Sequence, residues 1–216
     1  MSSTSGTPVP AVRRSRLTAD DRRRQLLGIG LSKLVVKPIS DLSIDEVAAE
    51  AGISRGLLFH YFPTKRDFYL ACVAAAGRRI LRRTAPDPDA APDEQVRDMV
   101  RLFTQQIERR REFYLSLVRG TGGGDVGVAE VVDTIREGLT GRVLSSLSLD
   151  DPPLDGPSAG PSAGAWARPV VHAWWAYVED RAIAWSAEPP DRRTESLDEL
   201  VNHDVAALKA LLDLSG

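Results

Sequence analysis

The amino-acid sequence predicts an all-α protein: a small three-helix head built around a helix-turn-helix, followed by a larger helical domain. Three observations lead there. Apolar residues recur at three- and four-residue spacings along most of the chain, and no alternating run suggests a strand. Residues 43–65 carry two short helical patterns punctuated by capping residues, a glycine and a proline. The charge also changes sign at the Pro-rich stretch 85–92: residues 1–85 hold 15 Lys and Arg against 7 Asp and Glu, the remainder 13 against 23.

The net charge of −2 therefore conceals a basic module joined to an acidic one, which suits a head that meets phosphate and a body that does not. At 216 residues, 43% hydrophobic and 27% charged, the chain is of ordinary globular composition and long enough to bury a real core. Its single cysteine, Cys72, excludes an internal disulfide, suits a reducing cytoplasm and reads as a small buried hydrophobe. The first ten residues lack the apolar core of a signal peptide, and no apolar run has membrane-spanning length. A cytoplasmic protein with no membrane partner is expected.

Residues 1–16 are rich in Ser, Thr, Gly and Pro and are expected to be disordered, ending in a basic arm of Arg13, Arg14 and Arg16. That arm is either a solvated tail or a contact to phosphate or minor groove. The head, 17–85, opens with a helix capped by Thr18 and Asp21 and running to about Val36, with Leu26, Ile29, Gly30, Lys33 and Leu34 on one face and Arg22 to Arg24 largely opposite. Pro38 to Leu42 form the loop into the next helix. Ser43 with Glu46 makes a capping box, Val47, Ala48 and Ala51 give a small apolar face, and Gly52 ends the helix in the left-handed region. Ser54 caps a second short helix on which Leu58 and Phe62, four apart, share a buried face. Pro63 closes it. Thr64 and Asp67 start a fourth helix through Phe68, Cys72 and Ile80, ending in the basic run 78–83.

In the second domain, 86–216, helices are expected at about 93–110 and 112–119. Residues 120–127, with three consecutive glycines, should be a flexible link and not a phosphate loop, because no strand flanks them and no Lys-Ser/Thr follows. A long apolar stripe from Val128 to Leu147 predicts the next helix. The tandem Gly-Pro-Ser-Ala within 150–164 predicts a mobile loop. Two helices at about 165–186 and 194–214 complete the chain. Trp174 and Trp175 lie about 100° apart on the first of these, so one is expected in the core and the other at an interface.

Two short helices joined by a Gly-containing turn form a helix-turn-helix, whose second helix enters a DNA major groove. Phe59, Tyr61, Phe62, Pro63, Thr64 and Lys65 resemble the aromatic-Phe-x-x-Lys close of the tetracycline-repressor (TetR) family of transcription regulators, and residues 42–70 as a whole are similar to that family's N-terminal domain. Chemistry and resemblance point to the same residues. Arg55 can pair with guanine O6 and N7, Leu57 can meet a thymine methyl, and Gly56 admits close backbone approach. Ser43, Ser54, Thr64 and Lys65 suit phosphate. The resemblance implies base contact at Arg55, Gly56 and Leu57 and backbone contact at Tyr61 and Lys65. Phe59 stands where tyrosine is usual and has no hydroxyl to offer, while His60 could equally be a surface histidine.

The resemblance also implies a homodimer through the last two helices, operator DNA as partner, and a small-molecule effector held among the middle helices. Phe103, Ile107, Tyr114, Trp174 and Tyr177 are the candidate lining residues, with ordinary core packing the competing reading for each. No catalytic group, metal site or cofactor is expected: His60, His172 and His203 are scattered and sit in no ligand or nucleophile motif. The expected activity is thus a sequence-specific, ligand-responsive repressor that releases its operator on binding a small molecule. A helical protein-binding adaptor is the alternative and an enzyme the remote one.

Overall fold

The computed structural model describes residues 17–34, 41–122, 126–149 and 163–215, and these are helices and turns without a strand. The basic arm, the loop at 35–40 with the end of the first expected helix, and the tandem repeat lie outside the described residues.

α1 (Ala19–Leu34) begins at Thr18, whose hydroxyl donates to Asp21 Oδ2 at 2.7 Å and accepts the Asp21 N–H at 3.1 Å. It buries Leu26, Leu27, Gly30 and Leu34. α2 (Ile44–Glu50) and α3 (Arg55–Tyr61) are each capped by a serine: Ser43 Oγ accepts from Glu46 N at 3.2 Å and Ser54 Oγ from Leu57 N at 3.1 Å. Between them Gly52 takes φ +66°, a conformation that any side chain would strain. α4 (Lys65–Arg83) opens with a reciprocal Thr64–Asp67 capping box. Leu26, Val47, Leu58, Phe62, Phe68, Cys72 and Val73, each at most 1% exposed, are the centre of the head's core. α1 crosses α4 at Gly30, where an added Cβ would lie 2.6 Å from Cys72 Sγ and 2.7 Å from Phe68 Cζ. Burial pushes the Cys72 thiol up to about 12.

The second domain contains α5 (Pro92–Arg109), α6 (Arg111–Gly122), α7 (Val126–Ser146), α8 (Ala163–Ala187), a 3-10 turn at Pro190–Arg192 and α9 (Leu197–Ser215). α8 is enclosed by α5, α7 and α9, while α4 reaches out of the head to pack along α7. The two cores interleave there. Ile80 of α4 belongs to the second domain's core, and Phe113, Leu117 and Val128 of α6 and α7 belong to the head's. α6 and α7 thus share buried residues with the core that α4 also enters.

Three expectations are corrected. The glycine stretch is not a link of eight residues: α6 continues through Gly122 and α7 starts at Val126, leaving residues 123–125 between them. The last helix starts at Leu197 and not near Thr194, because the 3-10 turn precedes it and Ser196 with Glu199 supplies the cap: Ser196 N–H donates to Glu199 Oε2 at 2.7 Å and Glu199 N–H to Ser196 Oγ at 3.2 Å. The tryptophans do not divide between core and surface. Trp174 and Trp175 are each 1% exposed with ring centroids 4.9 Å apart, since α8 has helices on three sides and 100° of rotation still points inward.

Trp174 Nε1 donates to the Asp204 carbonyl of α9 at 2.8 Å, and Arg181 Nε to the Asp204 carboxylate at 2.6 Å. Asp204 is wholly buried, and burial pushes its carboxyl from 3.8 up to about 6 against the pull of Arg181. The folded protein thus holds this proton more tightly than the unfolded chain does. Stability from it is complete below pH 3.8, is lost as pH rises toward 6, and changes no further above that. Relative to Asp204→Asn, the wild type is expected to lose about 3 kcal/mol across that window in urea titrations. Parallel pH profiles for the two proteins would show that Asp204 titrates at its ordinary value.

Candidate functional site

The helix-turn-helix has a buried side and a presented side. Leu58 and Phe62 sink α3 into the core at 0% and 1% exposure, while Arg55, Gly56 and Leu57 at its first turn face solvent, Leu57 at 40%. Arg55 is held in place without being buried: its Nη1 lies 2.9 and 3.2 Å from the two Asp45 oxygens, and its guanidinium sits 5.4 Å from the Phe59 ring centroid. Phe59 is half-buried beneath it. Gly56 has no positive φ, and a Cβ there would meet only Ser54 Oγ at 4.0 Å, so nothing among the described residues demands a glycine. His60 is exposed, edge-on to the half-buried Tyr61 at 5.8 Å. Ser54, Thr64 and Lys65 are exposed and Ser43 half-buried, with the three hydroxyl residues acting as helix caps.

Sequence reasoning missed what holds this unit. Arg22 of α1 donates to the Ala51 carbonyl at the end of α2 (3.3 Å), and Arg23 to the Tyr61 carbonyl at the end of α3 (2.9 Å) while covering the Phe62 ring at 4.4 Å. Each cation meets the carbonyl end of a helix, where partial negative charge collects. Lys33 completes the brace with Glu50 at 2.9 Å. The partners are 29 and 38 residues from their arginines, so no local pattern reveals them.

Two small cavities lie among the helices, one within the body and one where it meets the head. One, of about 20 Å³, is walled by Phe103, Tyr114, Leu117, Ile135, Leu139 and Trp175, with Arg136 and Glu179 as polar members. Arg136 Nη2 lies 2.9 Å from Glu179 Oε2, and Glu179 is 8% exposed. Burial first, then the Glu179 charge and hydrogen bond, pushes the Tyr114 phenol well above its usual range. Trp175 Nε1 is buried without a hydrogen-bond partner among the described residues. The other cavity, of about 30 Å³, lies between α1, α4, α5 and α6 and is lined by Leu31, Ala76, Arg79, Ile80, Ile107 and Arg110 among others. Phe103 and Tyr114 line both and stand edge to face at 6.1 Å. Of the expected lining residues, Phe103, Ile107 and Tyr114 sit at these cavities; Trp174 and Tyr177 line neither. Trp174 turns to α9, and Tyr177, 36% exposed, lies outside beside Arg181.

A model of the bacterial regulatory proteins of the tetR family matches residues 34–72, and a tetracyclin repressor-like C-terminal domain matches residues 92–207, more than half of the chain. The chain belongs to the TetR family. It is 28% identical over 144 residues to the HTH-type transcriptional activator FasR of Mycolicibacterium smegmatis, covering 64% of each chain. It is 31% identical over 124 residues to the transcriptional regulator AcuR of Cereibacter sphaeroides, covering 55% of this chain and 54% of that one. The chain thus spans about half to two thirds of these curated relatives. Among solved structures, a tetR-family transcriptional regulator from Streptomyces coelicolor matches with a TM-score of 0.73 and 26% identity, over 92% of this chain and 83% of that one. A TetR-like regulator from Rhodococcus sp. RHA1, at 21% identity and a TM-score of 0.59, shares the fold over 92% and 99% of the two chains.

Within this TetR fold, the outer faces of α8 and α9 expose Tyr177, Leu211 and Leu214 at 36%, 40% and 86%, beside the exposed alanines Ala173, Ala176, Ala184, Ala206 and Ala210. No helix of the described residues is long and apolar enough to cross a membrane.

Proposed function

We propose that this TetR-family protein is a homodimeric, sequence-specific DNA-binding regulator in the cytoplasm that releases its operator when a small molecule enters the body. The presentation of Arg55 and Leu57 at the first turn of α3 carries the reading, because those two side chains suit guanine and thymine edges and serve no core. Gly56 between them, unneeded by the fold, suits close approach of a partner backbone. A single helix-turn-helix holds too little DNA for a tight site, so two heads are required, about one helical turn apart. The small-residue faces of α8 and α9 suit the close packing of a second copy, with Leu211 and Leu214 covered in the dimer.

The interleaved cores support the ligand response. An effector that parts α6 and α7 from α5 moves Phe113, Leu117 and Val128, which are packed in the head's core, and so shifts the spacing of the two heads. The family resemblance favours repression as the sign of regulation.

The test is a gel shift on DNA upstream of the protein's own gene, with sedimentation of the same sample. A dimer is expected, with affinity falling by roughly three orders of magnitude or more between about 50 and 200 mM salt, as six or more phosphate contacts dictate. No shift at low salt on any candidate DNA would favour the adaptor reading.

A further inference from the structure

Arg79 and Arg110 both line the cavity of about 30 Å³ between α1, α4, α5 and α6. Apart from these and the buried amide of Gln106, that wall is apolar: Leu31, Ala76, Ile80, Phe103, Ile107, Phe113 and Tyr114. Both residues are half-buried, and among the described residues neither is paired with an acid. The acids two residues either side of Arg110 are engaged elsewhere, Glu108 with Arg193 at 2.7 Å and Glu112 with Arg111 at 3.4 Å. Burial, followed by the positive charges of Arg110, Arg83 and Arg82, holds Arg79 below the ordinary guanidinium value. Exposed Arg78, Arg82 and Arg83 can meet bulk solvent, but Arg79 and Arg110 turn toward an apolar wall. Two like charges there carry both a desolvation cost and a mutual repulsion, and a bound oxyanion relieves both.

We propose that this cavity takes an amphipathic anion, with a carboxylate or phosphate head between Arg79 and Arg110 and an apolar tail running among Ile80, Phe103 and Ile107. The space holds no more than a few waters, so the structure is the closed form of the site. The tail has one direction in which to grow. Phe103 and Tyr114 line both this cavity and the one of about 20 Å³, so a longer tail would extend past that pair. Leu31, Ala76, Arg79 and Ile80 belong to the head's α1 and α4, whereas Phe103, Ile107, Arg110 and Phe113 belong to α5, α6 and their junction. An occupant therefore wedges head from body. That consequence rests on the reading of the protein as a ligand-responsive regulator; the binding site itself does not.

Calorimetry on the full chain with four probes of equal tail, undecanoate, decyl phosphate, 1-decanol and decyltrimethylammonium, tests the assignment. At least one anion is expected to bind about tenfold or more tighter than decanol, with the cation weakest, and the stronger anion identifies the head group. The Arg79→Gln/Arg110→Gln double variant is expected to lose about a hundredfold for that anion and to keep decanol within about threefold. Equal affinity of the wild type for decanol and both anions overturns the proposal, and needs no variant to be read. Undiminished anion affinity in a folded double variant does the same. The same titrations with DNA present separate the two ideas: anion binding that leaves DNA affinity unchanged upholds the site and overturns the ligand-responsive reading.

Discussion

Replacing Arg55 with alanine is expected to lower operator affinity by about a hundredfold or more while leaving the fold intact. The first half of that expectation comes from the base edge. A bidentate guanidinium on guanine discriminates by about 1–3 kcal/mol, and a dimer loses it at both half-sites. The second half comes from the free protein. Arg55 is 60% and Asp45 67% exposed, so their ion pair is screened and contributes little to stability. The pair does set the starting direction of the guanidinium, with Phe59 beneath it. Fluorescence anisotropy at fixed salt, on operator and on scrambled DNA, checks it: Arg55→Ala should erase the difference between the two, whereas Lys65→Ala should weaken both alike. Unchanged discrimination in Arg55→Ala would remove Arg55 from the base-reading role.

The second large effect concerns stability and lies out of reach of DNA. Phe68→Ala is expected to cost about 3–5 kcal/mol. Phe68 is wholly buried, meets Phe62 edge to face at 5.0 Å, and fills the space that Gly30 leaves open on α1. The cavity left by alanine cannot collapse readily, because the backbone of α1 at Gly30 is already packed directly on Phe68 and Cys72 of α4. A domain of ordinary stability would be left marginal by that loss. DNA binding should fail with it, although Phe68 is on the far side of α3 from the presented Arg55. Urea denaturation measures the change, and a loss under about 1 kcal/mol would mean that the helices close over the gap.

The head was legible because its signals act over three or four residues. Ser43, Ser54 and Thr64 cap within one turn, Gly52 declares its φ by its type, and Leu58 with Phe62 give the buried face by spacing. The presented residues came from the chemistry of the second helix's first turn and from the TetR resemblance. What stayed hidden is long-range. Arg22 and Arg23 fall on the outer side of α1's apolar face, yet they reach across to close the ends of α2 and α3. In the body, periodicity gives the angle between Trp174 and Trp175 but not how many helices surround α8. Glycine composition misled at 120–122: a helical glycine costs about 1 kcal/mol, which the burial of Phe113 and Leu117 on the same helix offsets. The cavities were legible only as a list of apolar residues. Which of them meet there depends on α4 crossing into the body, and no spacing rule encodes that crossing.

The sealing of Cys72 beneath Gly30 gives the molecule a built-in reporter. It is the only thiol in the chain, fully covered and held in its unreactive protonated form, so an alkylating reagent can reach it only when the head opens. All four tryptophans, Trp166, Trp174, Trp175 and Trp185, sit on α8, and Trp174 and Trp175 are in the other core. Labelling rate and indole emission therefore watch opposite halves of one protein without any engineered probe. Should the two signals part company in denaturant, head and body unfold separately; should they move together, the shared seam at α4 makes them one cooperative unit.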